Sequence, residues 1–162
     1  MTTTVSGYTK VVDRSVVLGC PMPEGFGILP LNFENASTRT ELLFTAEAST
    51  LRTLLRNHKL PVANFLGEGE KMRAAVNKSF DWSAMIFVSA SLLSTDPNLV
   101  NLALGVIGNY LTDLFRGLPN KKIRLSVVVE KKKDRSCKTV TYEGDASGLD
   151  KLADIVRAAG DE

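Results

Sequence analysis

A chain of 162 residues, 44% of them apolar and 23% charged, has material for one hydrophobic core and length for one domain. Its formal charge of only +2 excludes a protein that grips nucleic acid by bulk charge, so any basic site must come from clustering. One histidine, His58, and two cysteines, Cys20 and Cys137, cannot supply a usual four-ligand zinc site without carboxylates; no metal or cofactor is expected.

Residues 1–8 are small and polar and are expected to be disordered, which leaves 9–162 as a single domain. The opening "MTTTVSGYTKVVDR" lacks the early apolar core of a signal peptide, so a cytoplasmic, reducing setting with free thiols is expected. "KVVDRSVVL" (10–18) sets β-branched residues around a charged pair, the composition of a strand. "GCPMPEGFGILP" (19–30) holds three prolines and three glycines, which predicts a loop and argues against a helix or a central strand. "LNFENAS" (31–37) continues it, with Glu34 and Asn35 as turn formers. "RTELLFTA" (39–46) suits either a strand or the lead-in to a helix.

"STLRTLLRNH" (49–58) places Leu51, Leu54 and Leu55 at helical spacing, with Ser49 as cap and Pro61 beyond the end. "NFLGEGEKMRAAVNKSF" (64–80) predicts a shorter helix over Glu68 to Asn77. "WSAMIFVSASLL" (82–93) is too uniformly apolar for periodicity to decide. A buried strand and a buried helix both fit, and Met85 to Val88 favour the strand. "TDPNLVNLALGVIGNYLTDLF" (95–115) is the clearest helix, capped by Thr95 or Asp96, with Pro97 in its first turn and Gly117 and Pro119 past its end. Neither apolar run predicts a membrane span: 83–93 is too short, and 99–115 falls short of about 20 residues and carries Asn101, Asn109 and Asp113.

Asn101, Gly105, Gly108 and Thr112 line one small, polar stripe of that helix, where another backbone can approach. The rest of its surface is apolar, more than one small domain readily covers. Leu99, Leu102, Val106 and Tyr110 are therefore candidate contact residues for a protein partner or for self-association. Phe26 and Phe33 join them, since apolar residues in irregular backbone either anchor a loop or await a partner.

"IRLSVVVEK" (123–131) and "CKTVTYEGD" (137–145) both alternate with period two around the polar "KKDRS", which predicts a β-hairpin of two half-buried strands. "DASGLDKLADIVRAAG" (145–160) follows as an amphipathic helix capped by Asp145, with Leu149, Leu152, Ile155 and Val156 on its apolar face and Gly160 at its end. The overall expectation is an α+β fold, a small, mostly antiparallel sheet with helices on one face, closing β-β-α.

Seven lysines and arginines fall between Lys121 and Arg135, against Glu130 and Asp134. Lys131, Lys132, Lys133 and Arg135 belong to the hairpin turn, where solvated charge also guards against strand pairing. The same four residues are the phosphate contacts if the chain binds nucleic acid, although aromatic stacking partners other than Tyr142 are missing nearby. Cys20 in "LGCPMP" is a nucleophile only if a base lies near it, and His58 is the sole histidine that could serve. Trp82 reads as a core or boundary residue. The carboxylate pairs Glu68/Glu70 and Glu143/Asp145 do not argue for acid–base catalysis, and no catalytic residue is assigned.

The order of elements over about 97–158 resembles the effector-associated constant component proteins encoded beside bacterial conflict and antiviral effectors. The segments concerned are "PNLVNLALGVIGNYLTDLFRG", "IRLSVVVEK" and "KTVTYEGDASGLDKLADIVRA". The likeness covers under half of the chain and does not extend to the first 96 residues. It implies a non-enzymatic adaptor or interaction component working with a larger effector, and it carries over no catalytic residue. The expected function is accordingly a cytoplasmic protein-interaction component, with nucleic-acid binding by the hairpin turn and cysteine-dependent chemistry as the alternatives.

Overall fold

The computed structural model describes residues 2–21, 24–66, 70–75 and 79–162. In chain order these form β1 (Thr2–Tyr8), α1 (Val11–Leu18), β2 (Phe26–Ile28), β3 (Leu43–Thr45), α2 (Ala48–Asn57), β4 (Val62–Ala63), β5 (Arg73–Ala75) and β6 (Trp82–Val88). They continue as α3 (Ala90–Thr95), α4 (Asn98–Leu114), β7 (Ile123–Glu130), β8 (Cys137–Gly144) and α5 (Leu152–Asp161), with 3₁₀ turns at Arg39–Glu41 and Ala146–Lys151. The α+β class and the closing β-β-α order are as expected.

One sheet runs in the order β1-β8-β7-β6-β2-β4, and β3 pairs with β5 in a separate parallel ribbon. Within the large sheet β6–β7 and β2–β4 are parallel and the other pairings antiparallel. The hairpin is present with unbroken register from Ile123↔Gly144 to Glu130↔Cys137. Its strands are less half-buried than alternation predicts: in β7 every residue except Arg124 is buried. Parallel pairing with β6 explains this, because a strand central to a sheet covered on both faces meets no solvent on either side. Ile123, Val127 and Val129 face α4 and α5, while Arg124 and Ser126 face Leu31 and Thr45 on the opposite side.

The helices α2, α4 and α5 gather on one face, and α3 abuts α5. Here α4 is the clearest helix, as its sequence predicts, but Pro97 occupies its N-cap and no side chain caps it. Of the two glycines in its small stripe, Gly108 lies against the Ala146 carbonyl and the Leu149 side chain, while Gly105 faces open space. The apolar residues of the helical face join those of the opposite face in one contiguous core.

Several expectations are corrected. Residues 2–8 are a strand rather than a disordered lead, because Thr2, Thr3, Thr4 and Val5 are strong strand formers and β8 offers them an antiparallel partner. Residues 11–18 are a helix rather than a strand: Val11, Ser15 and Leu18 are the buried set, spaced for a helix, while Val16 and Val17 point outward. Gly19 ends α1 in the left-handed region, with its N–H donating to Val16 and that of Cys20 donating to Ser15.

The loop expected at 19–30 contains β2, which lies between β6 and β4. Pro30 follows the strand without interrupting it, and Gly27 gives the strand room beneath the Phe65 ring. Met22 and Pro23 of that segment lie outside the described residues. The helix expected over 68–77 is not formed by 70–75, which are not helical and end in β5. That stretch has no apolar stripe to bury as a helix, whereas β3 satisfies its backbone. Residues 68, 69, 76 and 77 lie outside the description.

The undecided run 82–93 is both elements. It is strand to Val88 and helix from Ala90, and it breaks at Ser89, whose hydroxyl accepts from Leu92 N–H at 3.2 Å and from Gly25 N–H at 2.8 Å. Residues 39–46 resolve as a 3₁₀ turn and then β3, and Ser49 lies inside α2 rather than at its cap.

Candidate interaction surface

The structure divides the residues that sequence reasoning offered as a contact surface. Phe26 and Phe33 are fully buried, and Phe33, Phe65 and Phe87 stack edge to face with centroids 5.3 and 6.3 Å apart. They anchor the irregular segment to the core and are not available to a partner. Val106 is also buried, and Leu99 and Tyr110 are partly buried against the core. Of the four α4 residues only Leu102 stands out, at 50% exposure. The apolar excess of α4 is absorbed by α2, α5 and the turn at Ala146–Lys151.

The basic turn is solvated, as expected, but it is also a clasp on the end of α5. Lys132 N–H donates to the Gly160 carbonyl at 3.1 Å, and its ammonium lies 2.6 Å from Asp161. Lys138 pairs with Glu162. Cations at a helix C-terminus are favoured by its dipole, so part of this charge has a structural use. Arg135 takes a left-handed backbone (φ 62°) and sets its Nε 3.3 Å from the buried Glu130 carboxylate. Asp134 closes the turn by accepting from Ser136 N–H and hydroxyl, and these bonds hold its carboxyl below the usual range. Lys131 and Lys133 complete the cluster.

Among the described residues no arrangement for nucleophilic catalysis emerges around the thiols. Cys20 and Cys137 are both free and buried, and burial raises both, Cys137 to about 11. His58 is exposed at the end of α2 with Nδ1 3.0 Å from the Leu54 carbonyl. Among the described residues no three His, Cys, Asp or Glu side chains converge as metal ligands. The carboxylates singled out in the sequence pair locally: Glu70 with Arg39 at 2.7 Å, Asp113 with Arg116 at 2.5 Å, and Glu143 with Arg124 at 3.6 Å. Asp145 caps the following 3₁₀ turn through Ser147 N–H, and Glu68 lies outside the described residues. Trp82 is buried in the core.

The surface that sequence reasoning missed is β1. It forms one edge of the large sheet and runs seven residues in register with β8, from Thr2↔Glu143 to Tyr8↔Cys137. Every residue before Tyr8 is exposed. The strand holds no charge and no proline. At the opposite edge β4 is only two residues long and follows Pro61. Short strands and proline are usual devices that stop a sheet edge from recruiting another chain, and β1 has neither.

Comparison with known proteins supplies no relative: no family model matches the chain, and no match is found among curated proteins or solved structures. Among the described residues no helix is long and apolar enough to cross a membrane.

The signal for β1 was present in the run of threonines and Val5, which are β-formers. It was obscured because a strand held by backbone pairing need not show apolar alternation.

Proposed function

We propose that this chain is a non-enzymatic protein-interaction component that docks by strand addition, with β1 as the docking element. The observation that carries this reading is the contrast between the two edges of the sheet. The β4 edge is short and proline-flanked, while β1 offers seven extended, uncharged residues, of which the first six face solvent. In strand addition the main chain supplies affinity and alternate side chains supply selectivity. The resemblance of residues 97–158 to effector-associated constant components supports an oligomer or subunit of a bacterial conflict complex, without saying which protein adds to β1. Free, buried cysteines suit a reducing cytoplasm.

Nucleic-acid binding at the hairpin turn is the weaker reading, because Lys132 and Arg135 already serve Asp161 and Glu130. Cysteine-dependent chemistry is weaker still, since burial favours the protonated, unreactive thiol at both positions.

The test is capture from the native host at low and high salt, comparing the wild-type chain with a Thr3→Lys/Val5→Lys variant. Both positions are exposed, so the variant keeps its fold while charging the edge. A stoichiometric protein, whether a second copy of this chain or another protein, that survives high salt with wild type and is lost with the variant is the expected result. Equal capture by both would remove β1 from the mechanism. Nucleic acid that washes off with salt would move the function to the hairpin turn.

A further inference from the structure

The register of the sheet places Ile86, Val127, Val140 and Val5 side by side on four successive strands. The first three are buried, and the row ends at Val5, which is 52% exposed at the edge. On the other face Ser126, Thr141 and Thr4 form a second row, in which the Ser126 and Thr141 hydroxyls are 3.0 Å apart. Both rows therefore continue to the edge of the sheet, one ending on an apolar side chain and one on a hydroxyl.

We infer that the strand added to β1 is β1 of a second copy, paired antiparallel about a two-fold axis at Val5. The inference rests on β1 being a docking strand and names its partner. A two-fold interface must be self-complementary, and β1 is. Its uncharged residues bring no like charges together. Centring on Val5 matches all seven residues of the strand: Val5 with Val5, Thr4 with Ser6, Thr3 with Gly7 and Thr2 with Tyr8, each across the axis. Any other register leaves strand residues unmatched.

Centring on Val5 also completes both rows. The two exposed valines meet and join the apolar rows into one continuous band. Thr4 and Ser6 pair hydroxyl to hydroxyl, extending the Ser126–Thr141 row, and such cross-strand pairs stabilise a sheet. Gly7 has open space on its side-chain face, so Thr3 of the second copy fits against it. The product is a dimer with one continuous sheet in which neither β1 is an edge.

Disulfide trapping reads both the partner and the register. Opposed residues of an antiparallel pair have Cα atoms about 4.5–5.5 Å apart, inside the range of about 4.4–6.8 Å that a disulfide accepts. Val5→Cys should therefore cross-link to itself under mild oxidation. The native thiols are buried and contribute little background. Val16→Cys, on the exposed side of α1, reports random collision. The expected result is a dimer by sedimentation for wild type, its loss in Val5→Lys, and cross-linking of Val5→Cys about tenfold or more faster than Val16→Cys, from the higher effective concentration. Equal cross-linking rates, or a wild type that sediments as a monomer at every concentration, would overturn self-pairing. If that monomer still captures a different protein through β1, the docking strand stands and only the second copy is refuted. If Val5→Lys changes neither sedimentation nor capture, both fail.

Discussion

Glu130, at the end of β7 and only 2% exposed, accepts a hydrogen bond from the Ala90 N–H at 2.9 Å, so the carboxylate that closes one strand also starts α3. Arg135 approaches its other oxygen at 3.3 Å. The hairpin turn and the exit of β6 are thereby fastened through one side chain. Glu130→Ala leaves the Ala90 N–H and the Arg135 guanidinium without this partner. It should destabilise the fold by about 1–3 kcal/mol. Glu130→Gln keeps an acceptor for Ala90 and should lose less. Urea unfolding of the two variants checks the order, and equal losses would show that the hydrogen bond to Ala90 contributes nothing.

The same geometry separates the four basic residues of the turn. Arg135→Ala removes a partner of a buried carboxylate and should lower stability. Lys132→Ala breaks a pair with Asp161 at about 39% and 60% side-chain exposure, where solvent screens most of the attraction. Its effect should stay within about 0.5 kcal/mol. Thermal melts of the single variants test this. A nucleic-acid experiment with all four residues changed together would mix lost charge with lost fold; a Lys131→Ala/Lys132→Ala/Lys133→Ala variant keeps them apart.

Alkaline pH should weaken the protein through its buried thiols. Burial lifts Cys137 from 9.0 to about 11, and Cys20 and Tyr8 move in the same direction for the same first cause. A group held protonated in the fold releases its proton more readily once unfolded. Its contribution to stability is therefore intact below about pH 9 and is lost as pH rises through about 11. Denaturant midpoints measured across that window should fall, and Cys137→Ala should flatten part of the slope. Midpoints independent of pH would mean that the thiol meets water in the fold.

Where side-chain periodicity matched burial, the sequence was legible. Leu51 and Leu55 marked α2, and alternation from Ile123 to Val129 with a charged turn marked the hairpin. Where burial came from tertiary context, it was not. Val16 and Val17 suggested a strand, yet they are the solvent side of a helix whose buried set includes Ser15. The segment 82–93 was uniformly apolar because β6 and α3 are both interior, and only Ser89 marks the change. The docking edge was the least legible part. Its identity as an edge depends on β8, whose position beside β1 no local pattern reveals. The residues that did look like a surface, Phe26 and Phe33, are both buried in the core, Phe33 against the Phe65 ring.

Gly27 is the position where one methyl group should matter most in β2. A Cβ there would lie 2.5 Å from Cε2 of Phe65, closer than side-chain atoms approach. The ring cannot simply turn aside, because Phe33 and Phe87 pack against it edge to face. Gly27→Ala must therefore shift either the ring cluster or β2 itself, which holds β4 to the rest of the sheet. Overpacking of this kind costs about 1–3 kcal/mol. The double variant Gly27→Ala/Phe65→Leu removes the ring that the new methyl strikes. It should recover part of the loss relative to the sum of the single changes, which a double-mutant cycle by chemical denaturation measures directly. Additive losses would mean that the glycine is needed for its backbone rather than for the space beneath Phe65.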